Sequence, residues 1–185
     1  PLLNSDTLVI NAGKGIENDS LCTIQQILEQ VLPNSCDLAT ISGPTFAFEL
    51  AKGIPSAIVA ATESNVHAEH IQNIFSCPYL KVFTSNDPIG VQLGGALKNV
   101  IAIAAGISDG LKYGHNSRAA LITRGLVEIT RIGTALGARS ETFSGLSGLG
   151  DLILTCTGEL SRNRKVGLRI GRGENLKEIK GSMNM

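Results

Sequence analysis

The sequence carries no net charge: 16 lysines and arginines balance 16 aspartates and glutamates over 185 residues. That balance argues against a nucleic-acid or membrane-surface binder held by bulk electrostatics. It has no CxxC pair. Cys22, Cys36, Cys77 and Cys156 lie far apart, which suggests neither a zinc knuckle nor a disulfide framework. Reduced thiols in a cytoplasmic protein are the expectation. No secretory leader is expected, because the apolar run at 8–10 is too short. There is no G-x-G-x-x-G turn: Gly145, Gly148 and Gly150 precede Asp151, but the spacing is wrong and no strand leads into them. The chain does not begin with methionine, and an apolar strand starts within its first ten residues. A fragment of a longer protein is therefore expected.

One long apolar run exists, at 89–107, IGVQLGGALKNVIAIAAGI, with Lys98 as its single formal charge. Its length is about that of a membrane span. A lysine and Asn99 at its middle are expensive in lipid, and no aromatic belt flanks it. The reading is a buried helix, with Pro88 tolerated just ahead of it and small residues that let other backbones come close. A lysine buried there has its pKa pulled down by desolvation, and so can serve as a general base. The alternative is a lysine that snorkels from an ordinary core helix.

The first half alternates strand and helix signals. Residues 7–12, TLVINA, read as a strand with both faces apolar, which suggests a parallel sheet covered on both sides. It ends at Lys14, set between Gly13 and Gly15, where ligands of such sheets collect. A helix at 20–31, a strand at 37–42, a short helix capped by Thr45 and a strand at 55–61 follow. The helix at 66–75 carries His67 and His70, read as a solvent-facing pair. A strand at 80–84 ends in the turn-rich 85–88, where a boundary is placed. Beyond it β signals vanish. A glycine-rich bend spans 108–116, and a second long helix spans 117–136. A short apolar helix begins at Asp151, which is either its N-cap or a carboxylate aimed at Lys98. Ser161 can cap a helix starting at Arg162, so that Arg162 and Asn163 project from its first turn. An arginine fork beside free helix N–H groups suits a phosphate dianion; a surface basic run is the plain alternative. After 171 the chain shows no clear final element.

Four blocks occur in order: GKGIE at 13–17, ISGPTFAFELAKG at 41–53, GVQLGGALKNVIAIAAGISDG at 90–110 and GLGDLILTCTGELSRNRK at 148–165. Together they resemble the NAD(P)-dependent glycerol-3-phosphate dehydrogenase family, bacterial type. The resemblance runs to about 173, and LGGALKN and SRNR are its specific parts. It implies an α/β Rossmann part (1–87, its C-terminal portion) followed by an all-α, 6-phosphogluconate-dehydrogenase-like substrate domain (88–185, truncated). It implies NAD or NADP as cofactor, and glycerol 3-phosphate and dihydroxyacetone phosphate as substrates. Phospholipid synthesis would be the use, with a homodimer, no nucleic acid and no membrane span among the expectations. In the family's pattern Lys98 is the proton acceptor, and Lys14 binds substrate and cofactor and helps polarise the carbonyl. Asp151 holds Lys98 electrostatically and contacts substrate. Gly43, Thr45, Ser161, Arg162 and Asn163 bind substrate; Ala47 and Arg162 reach the cofactor. No metal is implied.

The sequence departs from the family in three places. The dinucleotide fingerprint would precede Pro1, a Val-Val-Glu-Gly segment would follow the last residue, and Gly13 replaces the usual threonine, which should loosen the turn. The first two bear on whether the chain binds NAD unaided. The competing reading is an inactive module that binds phosphate metabolites or contacts another subunit. A dehydrogenase acting on 6-phosphogluconate or hydroxy acids is a third, disfavoured by SRNR.

Overall fold

The computed structural model describes residues 3, 7–33 and 35–183. Strands β1 (Leu8–Asn11), β2 (Asp37–Ser42), β3 (Ser56–Ala61) and β4 (Leu80–Ser85) form one sheet in the order β1-β2-β3-β4. β1 and β2 run parallel, as do β3 and β4, but β2 and β3 are antiparallel, with Ser42 opposite Val59. The expected all-parallel sheet is therefore corrected to a mixed one. The cause is the short helix α2 (Ala47–Ala51), which has five residues and rises only about 8 Å. It does not carry the chain back along β2. The chain re-enters from the carboxyl end, and α2 stays at that end.

Alternation along β3 covers both faces of the sheet. Ile58 and Ala60 pack with Ile71 of α3 (Asn65–Phe75), while Val59 and Ala61 meet Val91 of α4 (Pro88–Gly110). α1 (Ile24–Val31) starts later than the sequence suggests, because Thr23 and Gln26 close a capping box. Thr45 does not cap α2; Phe46 holds that position and makes no side-chain bond. The histidines part company: His67 is half-buried with Nε2 3.6 Å from Asp37, and His70 is exposed.

After β4 the described chain is helical: α4, α5 (Gly114–Ala135), α6 (Ser140–Phe143), a π-helical turn (Leu146–Gly150), α7 (Asp151–Thr157), α8 (Arg162–Gly171) and α9 (Leu176–Ser182). The expected bend at 108–116 shrinks to three residues between α4 and α5. α9 is the final element that the sequence did not reveal, and Ile179 buries its one apolar anchor. Asp87 caps α4 by accepting from Gly90 N at 2.9 Å, and its other oxygen accepts from Arg139 N and Thr142 Oγ1.

Among the described residues α4 is the one helix long and apolar enough to cross a membrane. Here it is the central packing element, with Leu93, Ala102 and Ala105 buried against Ile129, Phe143 and Leu152. α8 lies against it backbone to backbone. Gly106 and Gly110 on α4 and Gly167 and Gly171 on α8 each face a main-chain atom of the other helix, so closely that any Cβ would overlap it. Two glycine pairs, each four residues apart, thus fix how α8 sits on α4.

Candidate active site

The site is built where the carboxyl ends of β1 and β2 meet the middle of α4. The β1 end turns at Gly13, whose N–H donates to Asn11 Oδ1 at 2.8 Å. That bond helps to fix the turn that sends Lys14 across α4. Gly95 makes the crossing feasible: a Cβ there would come within 2.9 Å of Ser42 Oγ and 3.3 Å of the Lys14 side chain. Gly94 does the same for the π-helical turn, since its Cβ would lie 2.6 Å from Ser147 O. The turn in turn delivers Asp151, the first residue of α7, to Lys98.

Lys98 does not snorkel. It is 7% exposed and Asp151 is 1% exposed. Lys98 Nζ donates to Asp151 Oδ1, and Lys14 Nζ donates to Oδ2 of the same carboxylate at 2.6 Å. One buried carboxylate therefore sits between two amines. Burial lowers the Lys98 pKa to about 8; the Asp151 charge opposes the shift and the Lys14 charge adds to it. Buried Cys156, by contrast, has its thiol pushed up to about 12 by desolvation and is inert as a nucleophile.

The opposite wall comes from α8. Ser161 is its N-cap, 3% exposed, with Oγ accepting from Arg164 N at 3.2 Å. Arg162 is exposed and has no acidic partner among the described residues. Asn163 Nδ2 donates to Asn99 Oδ1 at 2.8 Å, which links the α8 turn to the residue beside Lys98.

All the catalytic, substrate and cofactor residues that the resemblance implies, except Gly43, line one cleft of about 390 Å³. Gly43 stands behind it: its carbonyl accepts from Lys14 Nζ at 3.3 Å. Its φ of +151° and the 2.9 Å from a would-be Cβ to Ala57 O explain the glycine by packing. The cleft holds three cationic side chains, Lys14, Lys98 and Arg162, and one carboxylate, Asp151. This donor set suits a small dianion. A cavity of similar size, about 400 Å³, between α1 and the start of α4 contains Glu29 and Glu63 and no lysine or arginine.

Sequence reasoning passed over two polar lining residues, Asn99 and Thr155. Asn99 was visible only as a polar neighbour of Lys98. Thr155 lies one helical turn after Asp151, and its Oγ1 donates to Asp151 O at 2.6 Å. The i, i+4 spacing on an apolar helix was the available signal.

The family model described as NAD-dependent glycerol-3-phosphate dehydrogenase C-terminus matches residues 87–185, and its N-terminus counterpart matches 1–68. Over its whole length the chain is 58% identical to glycerol-3-phosphate dehydrogenase (NAD(P)+) of Syntrophotalea carbinolica, and covers 56% of that protein. The corresponding protein of Citrifermentans bemidjiense is 54% identical with the same coverage. The chain thus spans about half the length of the curated relatives it matches. The crystal structure of glycerol-3-phosphate dehydrogenase from Coxiella burnetii superposes with a TM-score of 0.95 at 40% identity, over 100% of this chain and 56% of that one. The Saccharomyces cerevisiae enzyme gives 0.85 at 29% identity, over 98% of this chain and 54% of that one.

Proposed function

The chain belongs to the NAD-dependent glycerol-3-phosphate dehydrogenase family, and from that premise we propose that the protein interconverts glycerol 3-phosphate and dihydroxyacetone phosphate with NAD(P). Phospholipid synthesis would draw on the product, and a cytoplasmic homodimer with a nucleotide-binding part up to residue 87 belongs to the same reading. The observation that carries the proposal is the pair of lysines on one buried carboxylate, faced across a cleft of about 390 Å³ by an arginine that lacks an acidic partner among the described residues.

The residues present fit the reacting end of the cofactor. Phe46, Ala47 and Leu160 give the cleft an apolar wall beside Lys14 and Arg162. Ala47, Lys14 and Arg162 are the residues that would hold it. A phosphate-cradling glycine turn is not among this chain's residues. When bound, NAD(P) supplies the hydride acceptor or donor.

The side chains handle the proton. Neutral Lys98 takes the proton of the C2 hydroxyl as that carbon becomes a carbonyl. In reverse, its ammonium returns the proton to the same oxygen. Asp151 stabilises the ammonium once formed, and Lys14, sharing that carboxylate, is placed to polarise the carbonyl. Arg162, Asn163 and the α8 N-terminus receive the phosphate.

The primary experiment mixes full-length protein carrying this chain with NADH and dihydroxyacetone phosphate and follows loss of NADH absorbance. Arg162→Ala should raise KM for dihydroxyacetone phosphate roughly 10- to 100-fold, the loss expected of a charge-assisted bond to a dianion. With NADH held saturating, so that the cofactor contact of Arg162 does not enter, an unphosphorylated substrate should be nearly unaffected. Equal effects on both substrates would remove the phosphate role.

The two directions should also split with pH. A lysine titrating at about 8 is ammonium below that value and amine above it. Oxidation of glycerol 3-phosphate needs the amine, so its kcat/KM should climb as pH rises through about 8. Reduction needs the ammonium, so its kcat/KM should fall over the same range. Profiles that moved together in both directions would exclude Lys98 as the titrating group.

A further inference from the structure

Arg164, the second arginine of the SRNR block, has no part in the chemistry above, yet it is held more firmly than the first. Its Nε and Nη2 both donate to Asp109 Oδ2, at 3.0 and 2.6 Å. Asp109 lies on the last turn of α4 and also accepts from Arg118 Nη1 of α5 through both oxygens at 3.1 Å. The three side chains are 11%, 16% and 20% exposed for Asp109, Arg164 and Arg118. At the same time the Arg164 backbone N–H is the donor captured by the Ser161 cap. One residue thus closes the start of α8 with its main chain and ties that turn to α4 with its side chain. Arg162 and Asn163 lie inside the closed turn. Lys98 and Asp109 sit on the same rigid helix, eleven positions apart.

We infer that Arg164, clasped by Asp109, is a positioning residue that sets Arg162 and Asn163 at a fixed span from Lys98, so that the substrate's phosphate is registered against the base. The inference rests on the function proposed above. Arginine is required because two N–H groups of one planar fork meet one carboxylate oxygen, which a lysine point charge does not reproduce. The charge arithmetic selects the test. Removing Arg164 leaves Asp109 with Arg118, a neutral pair, whereas removing Asp109 leaves two arginines unpaired in a largely buried place.

In full-length protein carrying this chain, Arg164→Met should raise KM for dihydroxyacetone phosphate about tenfold, the scale of coupling between neighbouring side chains. Its kcat/KM for unphosphorylated dihydroxyacetone should stay within about twofold of the unmutated value by the same reasoning. Arg164→Lys, which keeps the charge and loses the fork, should fall between the two and serves if the methionine variant does not fold. Arg118→Met, which loosens the other side of Asp109, should lower Tm without moving KM. An unchanged KM in folded Arg164→Met, or equal losses on both substrates, overturns the inference. If the unmutated protein fails to turn over dihydroxyacetone phosphate, the proposed function fails instead. Calorimetric binding of inorganic phosphate then reads Arg164 separately: Arg164→Met should weaken it about tenfold, and equal affinity overturns the positioning role.

Discussion

Lys98→Met should reduce kcat in both directions by about a thousandfold, within the range general acid–base groups contribute, and leave the protein folded. Methionine is an unbranched apolar chain as long as lysine's stem and lacks the amine. Asp151 keeps its second partner, since Lys14 remains 2.6 Å from Oδ2, so no buried carboxylate is orphaned. KM for the phosphorylated substrate should change little, because Arg162 and Asn163 are untouched. Lys98→Arg gives the sharper contrast. A guanidinium does not release its proton at accessible pH, so oxidation should be lost as completely as with methionine although charge and hydrogen bonding persist. Near-normal turnover in Lys98→Met, measured beside an unchanged Tm, would mean that another group moves the proton.

Gly167→Ala should cost stability on the order of 3 kcal/mol, the upper end of overpacking losses. For a chain of this size that corresponds to a fall in Tm of roughly 6–12 °C. The new methyl would overlap Ile103 O on α4, and no rotamer relieves a clash between a Cβ and a main-chain carbonyl. α8 must shift outward as a unit. Arg162 then moves away from Lys98, and KM for dihydroxyacetone phosphate should rise even in the folded fraction. Gly181→Ala supplies the contrast on α9. Among the described residues nothing lies within 4 Å of its would-be Cβ, so the usual helical preference of alanine should raise stability slightly, by up to about 1 kcal/mol. If Gly167→Ala and Gly181→Ala gave the same Tm, the close seam between α4 and α8 would not be holding the site.

The parts of the molecule that read well from sequence are those where one residue type admits few explanations. A lone lysine in nineteen otherwise uncharged residues pointed to a buried amine. Ser161 ahead of Arg162 pointed to a capped helix whose first turn carries charge. Strand and helix types followed from periodicity. Strand direction did not, because it depends on where a connection leaves the chain, and α2 was too short to bring β3 in parallel. The cap at Thr45 was misplaced because Phe46, with no polar side chain, took that position. α9 was hidden by its composition, since LKEIKGS offers a single buried anchor. The π-helical turn was visible only as three glycines ahead of Asp151, which showed neither its contact with α4 nor the extra residue in the turn that aims Asp151. The seam glycines were not singled out: Gly106 lies near the end of the apolar run and Gly110 fell in the expected bend, because reciprocity between distant segments is invisible along one chain.

α4 has a mechanical consequence. Its first turns are embedded against the sheet through Val91 and against the helical core through Leu93, and its later turns against that core through Ala102 and Ala105. A beam anchored at both ends does not act as a hinge. The two walls of the cleft therefore do not swing apart about residues 85–88 without unwinding that beam. The lighter parts of the cleft stand at its rim: the five-residue α2, the exposed side chain of Arg162, and the segment between α7 and α8. Any opening of the cleft therefore falls to its lip and not to its floor.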